Sequence, residues 1–94
     1  MTYDIEFDRR ALKEWKKLDS EIQKQFKNKL SKLLENPRVE ANKLRELPDC
    51  YKIKLRKSGY RLVYQVKDER VVVFVVAIGK RDKSKAYNDA SVRV

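Results

Sequence analysis

Residues 3–7, Tyr-Asp-Ile-Glu-Phe, alternate apolar and acidic side chains, which predicts a short strand with Tyr3, Ile5 and Phe7 turned inward. Asp8 follows as a helix cap, and Ala11, Leu12, Trp15 and Leu18 are spaced as one face of a helix running to about Leu18. Ser20 with Gln23 has the form of a capping box for a second helix. Its apolar stripe is Ile22, Phe26, Leu30, Leu33 and Leu34, and Asn36-Pro37 stops it. The very short turn between these helices predicts an antiparallel pair. Residues 37–48 read as a connecting loop with a helical turn near Ala41–Leu44. Three strands are expected at about 50–57, 60–66 and 70–78, with Lys67-Asp68-Glu69 as the second turn and Gly79 as a break. Residues 84–92 suit a short terminal helix. The order β-α-α-β-β-β, with an optional last helix, is that of a small α+β domain whose antiparallel hairpin sheet packs on two helices.

One stretch strains this pattern. Asp49–Val66, DCYKIKLRKSGYRLVYQV, sets Lys52, Lys54, Arg56 and Arg61 among strand residues. A two-residue turn at Ser58-Gly59 would pair Lys57 with Tyr60, Arg56 with Arg61, Lys54 with Val63 and Lys52 with Gln65. The four cations then share one face, and Ile53, Leu55, Leu62, Tyr64 and Val66 share the other, against the helices. A three-residue loop would mix the faces, so the hydrophobic pattern favours the shorter turn. Val71–Ile78 is apolar throughout and is expected to be the strand buried on both sides.

Charge sharpens the question of what the basic face is for. The chain has 94 residues, 24 Lys and Arg, 14 Asp and Glu, and a net charge of +10. Residues 1–49 hold twelve basic and ten acidic side chains, whereas residues 50–94 hold twelve and four. The first half is an ordinary mixed surface. The second is a basic platform, which points to a polyanionic partner: nucleic acid, an acidic protein or an anionic membrane. The length fits a single domain spanning 1–94. One Cys and no His exclude a conventional zinc or haem site and an internal disulfide, which fits a reducing cytoplasm. The start, MTYDIEFD, has no apolar signal core, and no apolar run approaches a membrane span, so a soluble cytoplasmic protein without a membrane partner is expected.

Each of these features also has a plain reading. Lysines on the solvent face of a strand can simply block aggregation, and Lys13, Lys17, Lys24 and Lys27 read as solvated helix surface. Trp15, Phe26 and Tyr64 read as core. Cys50, without a His partner, reads as a small packing residue and not a nucleophile. Tyr87 can either pack or present its ring to a base.

The segments ANKLRELPDCYKIKLRKSGYRLVYQV and VVVFVVAIGKR, with the late pair Ala86-Tyr87, resemble the RelE family of bacterial and archaeal toxin–antitoxin systems. The likeness covers almost the whole chain. It implies a RelE-like, microbial-RNase-like fold and a ribosome-dependent endoribonuclease that cuts messenger RNA in the ribosomal A site, against 16S ribosomal RNA. It also implies restraint by a cognate, RelB-like antitoxin that wraps the toxin. The family's catalytic positions fall on Lys52, Lys54, Arg61, Arg81 and Tyr87, all of the expected type. Arg56, Lys57, Lys80 and Lys83 are then expected to bind RNA or the ribosome, with no metal or cofactor.

The chemistry of the residues is compatible with that implication. Cleavage by the RNA's own 2′-hydroxyl needs removal of a proton, stabilisation of charge on the phosphate and protonation of the leaving 5′-oxygen. Arg61 and Arg81 suit the phosphate, because guanidinium stays charged and grips two oxygens at once. Lys52 or Lys54 can exchange a proton if neighbouring cations depress its pKa. Tyr87 can stack on a base and hold the attacking oxygen in line. General acid and general base are not separable at this level. Two other functions fit the same platform: a non-catalytic RNA- or ribosome-binding module, and a structural subunit for an acidic protein.

Overall fold

The computed structural model describes residues 2–80 and 85–93, apart from the side chains of Lys85 and Tyr87. Strand β1 (Asp4–Phe7) leads into helices α1 (Arg9–Lys16) and α2 (Ser20–Leu33). A 3-10 turn at Glu40–Asn42 precedes β2 (Cys50–Lys54) and β3 (Tyr60–Lys67). A second, at Asp68–Arg70, precedes β4 (Val72–Lys80), and α3 (Lys85–Arg93) follows. The four strands form one sheet in the order β1-β4-β3-β2. β2 with β3 and β3 with β4 pair antiparallel, and β1 joins β4 in parallel as an added edge.

The helix starts show how local chemistry sets the ends. The Asp8 carboxylate accepts from Arg10 N at 2.8 Å and caps α1, as expected. α2 is capped one residue earlier than the Ser20–Gln23 box proposes: Asp19 accepts from Ile22 N at 3.0 Å. Asp19 competes well with Ser20 because a carboxylate gains more at a helix N-terminus. Gln23 is thereby free to donate to the Trp15 carbonyl of α1 at 2.8 Å, which fixes the helical hairpin.

The sheet has two covered faces. On the first, Leu62, Tyr64, Val66, Val73, Val75 and Ile78 pack against Phe26 and Leu30 of α2 and Ala11 of α1. Trp15 lies between Phe7 and Phe26, with ring centroids 5.4 and 6.3 Å away, so it is a core residue. The buried Tyr64 hydroxyl donates to the Pro37 carbonyl at 2.8 Å, and its ring stacks on Tyr51. Ile5, expected inward with Tyr3 and Phe7, is 37% exposed. It lies on the edge strand, where cover is incomplete.

The second face is not wholly basic. Val63, Val76, Ala77 and Cys50 form a smaller apolar cluster there with Ala86 and Ala90 of α3. A bulge in β4 makes this possible. Val63 pairs with Ala77 but Tyr64 pairs with Val75, so Val76 is an extra residue. The bulge lets Val76 and Ala77 both face α3, and it leaves the Val76 carbonyl outside the ladder. Arg93 of α3 donates to that carbonyl at 2.9 Å and to Glu14 of α1 at 3.0 and 3.2 Å. Glu14 also accepts from the backbone N–H of Ile78 at 3.1 Å, just beyond the end of β1. One carboxylate thus ties α1, β4 and α3 together.

Candidate nucleic-acid interface

The β2–β3 hairpin carries the basic residues, and its turn is longer than the hydrophobic pattern suggests. Leu55 and Tyr60 close the hairpin, with Leu55 N donating to Tyr60 O at 2.9 Å. Arg56, Lys57, Ser58 and Gly59 make a four-residue loop. Gly59 sits at φ 76°, a left-handed position that glycine adopts without strain, and its N–H returns to Leu55 O at 2.9 Å. Lys54 therefore lies opposite Arg61, and Lys52 opposite Val63. This register differs by two residues from the two-residue-turn reading. A shift of two preserves the faces, because side chains alternate with a period of two. Lys52, Lys54 and Arg61 still share one face. Arg56 leaves it: Lys54 holds the place opposite Arg61, and Arg56 and Lys57 stand exposed in the turn.

Arg61 is held in a row across three strands. Lys54 is its neighbour on β2 and Gly79 its neighbour on β4. Gly79 has no side chain to crowd the guanidinium, so an anion lying over the row can meet both charges at once. The hairpin end forms a cleft of about 300 Å³ lined by Lys54, Leu55, Arg56, Gly59, Tyr60 and Arg61. Lys52 and Arg61 are half-buried and Lys54 is exposed.

The other expected site residues divide. Lys80 pairs with Tyr60 and leaves the sheet on the α1–α2 side, its ammonium 5.6 Å from the Tyr60 ring centre. It does not join the Lys54–Arg61 row. Tyr87 belongs to α3, next to Ala86, which is buried against the second face of the sheet. Its side chain lies outside the described residues, as do Arg81 and Lys83. Sequence reasoning missed the Glu14–Arg93 lock, for which the only signal is the i, i+4 spacing of Asp89 and Arg93.

The base of β2 is fixed by a polar network. Arg38 donates to Asp68 at 2.6 Å, to Asp49 at 3.1 Å and to Tyr51 at 3.3 Å, and Tyr3 donates to Asp68 at 2.6 Å. The bonds from Tyr3 and then Arg38 hold the Asp68 carboxyl below the usual carboxylate range. Cys50 begins the strand and is fully buried. Burial, with a smaller contribution from Asp49, pushes its thiol up to about 11. Cys50 should therefore resist a thiol-specific alkylating reagent at neutral pH in the folded protein and react fully in denaturant. Rapid labelling without unfolding would contradict its packing role.

Among the described residues, no cluster of His, Cys, Asp and Glu has the makings of a metal site, and no helix is long and apolar enough to cross a membrane.

Known proteins share this arrangement. The family described as ParE toxin of the type II toxin–antitoxin system parDE matches residues 5–84. The chain is 63% identical over 94 residues to the mRNA interferase toxin RelE of Escherichia coli K12, covering 100% of this chain and 99% of that protein. Among solved structures, a double mutant of E. coli toxin RelE in the free state superposes with a TM-score of 0.92 at 62% identity, covering 100% of this chain and 99% of that one. The intact E. coli RelBE toxin–antitoxin complex matches with a TM-score of 0.81 at 68% identity, over 83% of this chain and 95% of the matched one. With its β-α-α-β-β-β-α order, its basic hairpin and this full-length likeness, the chain belongs to the RelE toxins, within the ParE toxin family of type II toxin–antitoxin systems.

Proposed function

We propose that this chain is the toxin of a toxin–antitoxin pair: a cytoplasmic, single-domain, ribosome-dependent endoribonuclease that cuts messenger RNA in the ribosomal A site and so stops translation. The observation that carries the reading is the placement of Lys52, Lys54 and Arg61 on one face of the hairpin, the face on which α3, the bearer of Tyr87, is docked. In this reading Arg61 and Arg81 stabilise the charge that builds on the scissile phosphate. Lys52 or Lys54 moves a proton to or from the reacting oxygens. Tyr87 stacks on a base and aligns the 2′-hydroxyl. Arg56 and Lys57, at the exposed turn, dock the protein on ribosomal RNA, and Lys80 and Lys83 add to that docking. A RelB-like antitoxin is the natural restraint, since the E. coli relative is solved with its RelB partner.

A site built from Lys, Arg and Tyr calls for cleavage that persists in EDTA and leaves a 2′,3′-cyclic phosphate and a 5′-hydroxyl. The test is to mix the purified protein with programmed ribosomes, map RNA ends by primer extension, and run naked RNA alongside. Cutting that disappears in EDTA while the ribosomes stay intact would count against the cation mechanism. Binding with no RNA ends at all would favour a non-catalytic module.

A further inference from the structure

A second cleft opens around the outer edge of β2. It holds about 480 Å³, and five of its lining side chains are cationic: Lys29 and Lys32 of α2 with Lys52, Lys54 and Arg56 of the hairpin. Asn42 adds a polar group, the rest of the described lining is apolar, and none of the described lining residues is acidic. Lys54 and Arg56 line this cleft and the smaller one beside Arg61, so the two adjoin.

The helix geometry explains how α2 supplies cations here. Ile22, Phe26 and Leu30 turn into the core, which leaves Lys29 and Lys32, one turn apart, on the exposed flank beside β2. Lysines on a helix are commonly plain solvated surface. What sets this pair apart is convergence: cations from two separate elements meet in one concavity, with no carboxylate among its described lining residues. A concavity of one sign of charge focuses field and favours a polyanion.

Its shape selects among polyanions. The track starts on the face of the sheet at Arg61, passes Lys54 and Arg56, and turns around the edge of β2 to α2 on the other side. A stiff duplex cannot follow a bend around one strand, whereas a single strand can. The apolar floor gives bases and riboses a surface without a hydrogen-bond code, so recognition here is of backbone and not of sequence.

We propose that the two clefts form one track for single-stranded RNA, in which Lys29 and Lys32 hold phosphates of the message flanking the step that is cut. The proposal rests on the RNase reading above and adds to it a substrate-binding lobe on α2.

The test compares Lys29→Ala/Lys32→Ala in the full chain with Lys13→Ala/Lys17→Ala, which removes the same charge from exposed positions on α1 and its C-cap. Binding is read by fluorescence anisotropy with 2′-O-methyl RNA oligonucleotides, which lack the nucleophile and stay intact. The α2 variant should bind short oligonucleotides like the parent and lose affinity for longer ones. Its log–log salt slope should flatten by about 1.4, for two phosphate contacts on a single strand. The α1 variant should match the parent, as should the α2 variant on ribosomes carrying no message. Equal losses in the two variants would reduce the effect to net charge and overturn the proposal. So would an equal loss on message-free ribosomes, which would make the lobe a ribosomal-RNA contact. No affinity of the parent for any oligonucleotide at low salt would also overturn it. Because binding is read without cleavage, failure to detect nuclease activity would sink the RNase reading and leave this result separately legible.

Discussion

Arg61→Ala should lower the saturated single-turnover cleavage rate on programmed ribosomes by about 10²- to 10³-fold, the usual effect of removing one charge-stabilising donor from a transition state. The expectation comes from where Arg61 sits. It is the middle member of the Lys54–Arg61–Gly79 row and is half-buried, beside a glycine that has no side chain. A guanidinium there can bind two oxygens of one phosphate, and Lys54 cannot replace it because an ammonium acts as a point charge. Arg61→Lys should accordingly restore charge and affinity but recover only part of the rate. Arg56→Ala with Lys57→Ala provides the contrast, since both residues project from the turn. That pair should weaken ribosome binding and its salt dependence while sparing the saturated rate. If the Arg61 and turn variants lose rate and binding in the same proportion, the division between reacting and docking cations is wrong.

Arg93→Ala should free α3 before it unfolds the rest of the chain. The Arg93 side chain is only 9% exposed and spans Glu14, Asp89 and the Val76 carbonyl. Its bond to Glu14 raises its pKa, so the Arg93 guanidinium stays charged. The apolar side of α3 offers mainly Ala86 and Ala90, which are small, so the polar lock holds the helix as much as burial does. Truncation leaves the Val76 carbonyl and part of Glu14 without their donor, a loss of roughly 2–3 kcal/mol for a pair that is partly screened by solvent. Amide exchange in α3 should rise well above that in β3 and β4, and cleavage should fall because α3 carries Tyr87. Arg93→Lys should recover part of the protection. Unchanged exchange in α3 would show that the lock is dispensable.

Much of this architecture is legible along the chain, for identifiable reasons. The stripe Ala11, Trp15, Ile22, Phe26 and Leu30 has helical spacing and is where the core lies. The unbroken run from Val72 to Ile78 lies in the strand paired on both sides. The basic face survives a mistaken turn because parity, and not register, decides it. What escapes are features set by geometry that hydrophobic spacing does not encode. Gly59 permits a four-residue loop as readily as a two-residue one. Asp19 and Ser20 are both good caps, and only the helix axis chooses between them. The bulge at Val76 is hidden in a uniformly apolar run, and with it the carbonyl that receives Arg93. The cover that α3 gives the second face is invisible too, since two alanines are a faint apolar signal. At the site, Lys52, Lys54 and Arg61 come from one hairpin and are read together easily, whereas Lys29 and Lys32 meet them only through the fold.

The parallel pairing of β1 with β4 has a consequence for the order of events during synthesis. Asp4 must wait for Val72, and Glu14 for Arg93. Contacts so distant in sequence form late, after local helices and hairpins. A chain still being translated can make α1, α2 and the β2–β3 hairpin, but the sheet stays open until β4 has emerged, and α3 closes last. This topology delays assembly of the complete fold, and under the function proposed above it gives the ribosome that is building the toxin a period of safety from its own product.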